Sequence, residues 1–393
     1  MARAGRELDC EPAILAGSSW RLCRGGVSYS RPNDTSPPLA KASTQPHVGK
    51  ELATMIHQLS LRALSLGAAA TVLGLTATAQ AVKVDAKIAP YTSVPGVSGN
   101  VKSIGSDTLN NLMTLWAEGF KKQYPAVTIE IEGKGSSTAP PALIEGSATF
   151  GPMSREMKQK EIDDFEKKYG YKPTAIPTSI DMLAVYVHKD NPLASLTLEQ
   201  VDAIFSKTRK SGFATDIVTW GELGLTGDWA DKPISLYGRN SASGTYGYFK
   251  EHALFKGDYK DSVKEQPGSS SVVQGVAADK YAMGYSGIGY MTADVRAVPL
   301  AKDAKGAPIS ATPENAYSGA YPMARFLYVY MNYKPGTEIE PLRREFVRYV
   351  LSKQGQEDVV KDGYYPLTAK LVTDALKSIG VGAVATVPAS SGR

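Results

Sequence analysis

From residue 101 to about 380 the chain alternates between two hydrophobic periods. Val101–Ile104, Val127–Glu132 and Thr178–Val187 alternate or run unbroken in apolar residues and read as strands. Leu109–Tyr124 places Leu112, Leu115, Trp116 and Phe120 on one face and predicts an amphipathic helix. Pro140–Glu145 and the charged Glu156–Tyr169 are further helices, and Ala148–Arg155 is a short strand ending in a polar loop. Strand and helix in alternation predict an α/β fold with a mostly parallel sheet.

Two long apolar strands stand out. Ala175–Val187 is followed by Asn191-Pro192, and Arg325–Met331 ends at Asn332. They read as paired crossings between two lobes, one built from 101–182 and the return 325–393, the other from 183–324. A hinge there would close the lobes on a ligand. The same periodicity also suits one continuous α/β domain.

The junctions between strand and helix carry the chemistry. Ile104-Gly-Ser-Asp-Thr108, Gly133-Lys-Gly-Ser-Ser-Thr138 and Arg239-Asn-Ser-Ala-Ser-Gly-Thr245 each lead from a strand into a helix through Gly, Ser and Thr. Helix-opening N–H groups point at an anion, and glycine lets the backbone approach it. Arg239 adds a planar fork of donors suited to an oxyanion. Ser106, Ser136 and Ser154 all fall in loops at strand carboxyl ends, where α/β proteins bind ligands. Alternatively, the Ser and Thr of these loops simply cap their helices. Arg155 either approaches the anion or pairs with Glu156 or Asp181. Asp181 is a hinge or loop-facing carboxylate, or a satisfied strand-edge one. Ser137 and Thr138 add donors or cap, and Ser269–Ser271 border the cleft or form a plain loop.

The N-terminal region changes the picture. Residues 1–54 are rich in Arg, Pro and Ser, lack periodicity and hold both cysteines, Cys10 and Cys23. Met55–Arg62, the apolar run Ala63–Ala77 and the ending Ala79-Gln-Ala81 read as a secretory signal over 55–81. Translation is expected to start at Met55, and 1–54 to be a non-native or disordered extension. Cleavage after Ala81 leaves 312 of the 393 residues without cysteine, and the formal charge falls from +5 to about +2. Residues 82–100 read as a loose leader arm. No basic stripe marks a nucleic-acid partner. An exported, cysteine-free chain fits the bacterial periplasm or the cell exterior.

In this order and spacing the motifs resemble those of the substrate-binding protein of Pst-type phosphate ABC importers. The likeness rests on Gly105-Ser-Asp-Thr108, Gly133-Lys-Gly-Ser-Ser137, Phe150-Gly-Pro-Met-Ser-Arg155, Ile180–Tyr186, Arg239–Thr245, Gly284–Tyr290 and Asp362-Gly-Tyr-Tyr-Pro-Leu367. It implies a two-lobe type II periplasmic-binding-protein fold with a mixed sheet in each lobe and a two-strand hinge. It also implies dehydrated inorganic phosphate as ligand, permease and ATPase partners, a monomer, and neither cofactor nor metal. Thr108 and Ser136 would bind from one lobe, and Arg239, Ser243, Gly244 and Thr245 from the other; Ser106 and Ser137 flank them.

Two departures matter. Ser241 stands where relatives often carry an Asp that steadies the arginine. Ser154 stands where many carry a carboxylate that accepts the proton of monohydrogen phosphate. A carboxylate there would repel bare sulfate. Asp107 is the nearest replacement, with Ser154 assisting, unless Asp107 only caps its helix.

Other classes remain. His188 and His252 lack metal-ligand spacing, and no Gly-x-Ser-x-Gly elbow or Gly-x4-Gly-Lys-Ser/Thr loop is present in this stretch. A secreted phosphatase, a surface adhesin on the same scaffold, and a sulfate binder are the alternatives.

Overall fold

The computed structural model describes residues 82–382 and, as a separate antiparallel hairpin, Pro12–Leu15 with Ser18–Arg21. Apart from that hairpin, the expected extension 1–54 and the signal 55–81 lie outside the described residues, as does the tail 383–393. No helix among the described residues is long and apolar enough to cross a membrane.

In chain order the main elements begin with β1 (Gly99–Ile104), α1 (Asn110–Gln123), β2 (Val127–Glu132), α2 (Ala139–Glu145), β3 (Phe150–Met153) and α3 (Gln159–Tyr169). The long β4 (Thr174–His188) leads to α4 (Leu198–Phe205), β5 (Ser235–Arg239), α5 (Gly244–His252), β6 (Lys264–Gln266), α6 (Ser269–Ala278), β7 (Ala282–Gly287) and β8 (Val295–Ala297). The chain returns through β9 (Ala324–Met331) and ends in α7 (Pro341–Val350), α8 (Lys353–Lys361) and α9 (Ala369–Ser378).

The strands follow one path, β2-β1-β3-β9-β4-β7-β5-β6, with β8 also on β4. β4 belongs to both halves. Its residues 174–182 pair with β9, and its residues 183–187 pair antiparallel with β7. From Thr178 to Val187 it is buried without a break. The apolar run Met182–Val187 within it is what a strand covered on both faces requires. The chain re-enters the first half at Ala324, opposite Met182, so the two crossings meet at one point of the register. Pairs β1/β2, β1/β3, β5/β7 and β5/β6 are parallel, while the returning β9 is antiparallel to its neighbours. The sheet is therefore mixed in its first half, and antiparallel β4 makes it so in the second.

Helix α1 buries Leu112, Met113, Trp116 and Phe120, with Leu115 only half-buried at the edge of the stripe. Phe120 meets Phe346 of α7 edge-on at 5.3 Å, and Trp116 donates to Gly355 O at 2.8 Å. In the second half Phe249 stacks on Tyr285 at 3.8 Å, which seats α5 against β7.

The leader expected to be loose is not loose. Ile88, Tyr91 and Val97 are buried, and Gly99-Asn100 already belong to β1. Tyr91 donates to the buried Glu345 at 2.9 Å and lies 2.6 Å from Tyr124 Oη. Three apolar anchors outweigh a Pro- and Gly-rich composition, because each buried side chain contributes about 1.5–3 kcal/mol.

Candidate functional site

The carboxyl ends of β1, β2 and β3 bring three loops together. Gly135 N donates to Gly105 O at 2.7 Å, and Ser106 N donates to Pro152 O at 2.7 Å, so the loops brace one another. Gly135 holds φ +106°, a conformation that side chains resist. Ser106, Thr108, Ser136 and Ser154 are all buried.

The second half supplies the opposing wall. Ser243 caps α5, its hydroxyl accepting from Thr245 N at 3.1 Å and Tyr246 N at 3.4 Å, which leaves its proton free to point outward. The capping alternative is thus met at Ser243, and a capping hydroxyl can still donate. Gly244 faces Ser136 and Ser154 directly: a Cβ there would sit 2.6 Å from Ser154 Oγ. Thr245 Oγ1 lies 3.0 Å from Thr108 Oγ1 and 3.4 Å from Ser154 Oγ. Ser136 Oγ lies 3.3 Å from Ser154 Oγ and accepts from Ser154 N at 3.0 Å. Ser137 N donates to Ala242 O at 3.1 Å across the same seam. Four hydroxyls from two halves of the chain therefore meet at one point beside the start of α5.

Arg239, at the end of β5, is 1% exposed. It donates to Ser269 Oγ at 2.6 Å and Pro267 O at 3.0 Å, and its Nη2 is 3.2 Å from Asp107 Oδ2. Its Nε is buried and has no acceptor among the described residues. Burial pushes its pKa down, offset in part by Asp107. A buried cation with an unused donor is an anion site in waiting. Asp107 Oδ2 also accepts from Ser269 N at 2.8 Å. A carboxylate from the first half thus caps α6 of the second and pairs with its arginine, the partner that position 241 does not provide.

Not every expected residue joins the cluster. Ser241 is exposed. Ser137 is half-buried and takes a donor from Arg155 at 3.3 Å. Arg155 itself is turned to Glu161 by two bonds of 2.8 and 2.7 Å, rather than to Glu156 or Asp181 carboxylates. Of the 269–271 serines, Ser269 reaches the site through Arg239.

Sequence reasoning missed Arg325, Tyr290 and Tyr364. Arg325 pairs with the fully buried Asp181 and donates to Thr245 Oγ1 at 2.9 Å. A lone Asp and a lone Arg in two apolar strands were the available signal, since charges are rarely buried unless paired. Tyr290 and Tyr364 donate to the Asp107 and Thr108 carbonyls at 3.0 and 2.9 Å and fix the first loop. Among the described residues no group of three His, Cys, Asp or Glu is placed to hold a metal.

The tail motif explains itself here. Gly363 turns at φ +81° against Gly289 and delivers Tyr364 to the loop. Its neighbour Asp362 is left with a buried Oδ2 that has no partner among the described residues, and burial pushes its pKa from 3.8 up to about 7. Below the unfolded value the carboxyl is neutral in both states; stability is lost as pH rises through 7. Asp362→Asn should therefore raise stability at pH 8 by roughly 2–4 kcal/mol and hardly at all near pH 3.5, checked by thermal unfolding at both values. An equal gain at both would refute the burial argument.

Residues 90–354 match the family model described as a PBP superfamily domain. The phosphate-binding protein PstS of Pseudomonas aeruginosa is 56% identical over 308 residues, which cover 78% of this chain and 95% of that one. The chain belongs to the PstS family. A more distant member, the phosphate-binding protein PstS of Staphylococcus haemolyticus, is 29% identical over 291 residues, covering 72% of this chain and 86% of its own. Among solved structures, a putative phosphate ABC transporter substrate-binding protein with bound phosphate from Clostridium perfringens superposes with a TM-score of 0.58 at 28% identity, covering 69% of this chain and all of that one. The two-lobe PstS architecture accounts for the path of β4 through both halves.

Proposed function

We propose that this chain is an exported receptor that binds inorganic phosphate between its two lobes and delivers it to the permease and ATPase of an ABC importer. The lobes are taken as 101–182 with the return 325–393, and 183–324, and the protein as a periplasmic monomer without catalytic activity. The observation that carries this reading is the buried Arg239, whose Nε has no acceptor among the described residues and whose guanidinium meets Asp107 across the seam, together with the hydroxyls from both lobes gathered at the start of α5. Donors of this kind replace water around an anion and favour the closed state that binds it. Calorimetry on the purified chain should show tight phosphate binding with sulfate ignored. Binding of neither ion would end the receptor reading; equal binding of both would move it to oxyanions in general.

Asp107 is better cast as a cross-lobe partner than as the acceptor of a ligand proton, because its Oδ2 already serves Arg239 and Ser269 N. Asp107→Asn keeps the acceptor for Ser269 N and loses the charge. The phosphate Kd should rise about three- to thirtyfold through a weaker closed state, with no gain in sulfate competition. A selective gain in sulfate competition would restore the acceptor role.

A further inference from the structure

Arg325 and Asp181 have no part in the reading above, yet they form the most deeply buried ion pair of the described residues, with side chains 3% and 0% exposed. They sit opposite each other where β4 and β9 leave the first lobe. Arg325 Nε and Nη2 donate to Asp181 Oδ2 at 3.0 and 2.7 Å, and Asp181 Oδ1 accepts from Ile288 N at 3.0 Å. The same guanidinium reaches Ser154 O at 2.7 Å through Nη1 and Thr245 Oγ1 at 2.9 Å through Nη2. Ser154 belongs to one lobe and Thr245 to the other. Buried pairs contribute little net stability compared with apolar packing, so the direction of these bonds asks for a reason.

Hydroxyl accounting supplies one. A guanidinium has donors only, so Thr245 Oγ1 must accept from Arg325 and send its own proton elsewhere. Its other neighbours, Thr108 Oγ1 and Ser154 Oγ, belong to the same buried cluster. A hydroxyl that already accepts a charge-assisted bond is also a stronger donor. The pair is neutral as a whole, so its influence on an anion is one of orientation rather than net charge.

We propose that Arg325, held by Asp181, is a positioning residue that turns the Thr245 hydroxyl into an obligate donor to the bound oxyanion. The inference rests on the phosphate-receptor reading. Wild-type titration tests that reading, and a double-mutant cycle in phosphate calorimetry tests the inference. The charge-neutral variant Asp181→Asn with Arg325→Gln should raise the phosphate Kd roughly ten- to hundredfold, with folding confirmed by its melting transition. In a Thr245→Val background the same change should alter the Kd by less than about twofold, because the hydroxyl it acts through is gone. In a Thr245→Ser background the full effect should return. If the neutral pair does not fold, Arg325→Lys takes its place, since one ammonium keeps the charge and cannot span Asp181, Ser154 O and Thr245. A purely structural pair would lower the melting point and leave the Kd unchanged, or act equally in the valine background, and either result overturns the proposal. Wild-type silence toward phosphate would instead remove the reading on which it rests.

Discussion

Arg239→Met is expected to raise the phosphate Kd by about thirtyfold to several thousandfold, the range for truncating one member of a desolvated charge pair. Three of its contacts are to protein groups, Ser269 Oγ, Pro267 O and Asp107, and the fourth direction, Nε, has no acceptor among the described residues. Methionine removes that donor and the charge together. It also leaves the Asp107 carboxylate facing a like-charged ligand across the seam. Adding Asp107→Asn should recover part of the loss, which distinguishes unpaired charge from lost contact. Calorimetry reads both, and a single variant within threefold of wild type would show that the anion sits elsewhere.

Gly244→Ala is expected to weaken phosphate binding between about fivefold and a hundredfold while the protein stays folded. The added Cβ would lie 2.6 Å from Ser154 Oγ and 2.9 Å from Ser136 Cβ. Both neighbours belong to the other lobe, so the clash opposes closure rather than either lobe's own packing. Gly244 opens α5 without a positive φ, and alanine suits a helix better than glycine does. Small-angle scattering with saturating phosphate should then show a more open chain than wild type. Unchanged affinity and compaction would mean the serines move aside freely.

Much of this was legible in the residues, for identifiable reasons. Strands such as Thr178–Val187 are buried on both faces, so their apolar runs needed no tertiary context to be seen. Loops holding Thr108, Ser136, Ser154, Ser243 and Thr245 announced themselves because Gly, Ser and Thr gather where strands pass into helices. What a linear reading lacks is direction. Asp107 looks the same whether it faces a ligand, its own helix or Arg239, and only the closed geometry shows it capping α6. Ser241 shares the composition of its neighbours and points to solvent. Arg325 opens an apolar strand far along the chain from Asp181, and nothing local marks them as partners. The 82–100 segment was misjudged because composition counts prolines and glycines, whereas anchoring needs only Ile88, Tyr91 and Val97.

The placement of β9 between β3 and β4 sets an order of assembly. All the strands that the second lobe adds to this sheet have been made once Ala297 is made, because β5 to β8 pair among themselves and with the end of β4. The first lobe begins with β1 to β3, yet β3 keeps an open edge until Ala324–Met331 arrives to fill it. Exposed edges and apolar faces are what chaperones hold in growing chains. During synthesis the half that starts the chain is therefore the half that finishes last, and the edge of β3 waits, unpaired, while the roughly 170 residues between Met153 and Ala324 are made.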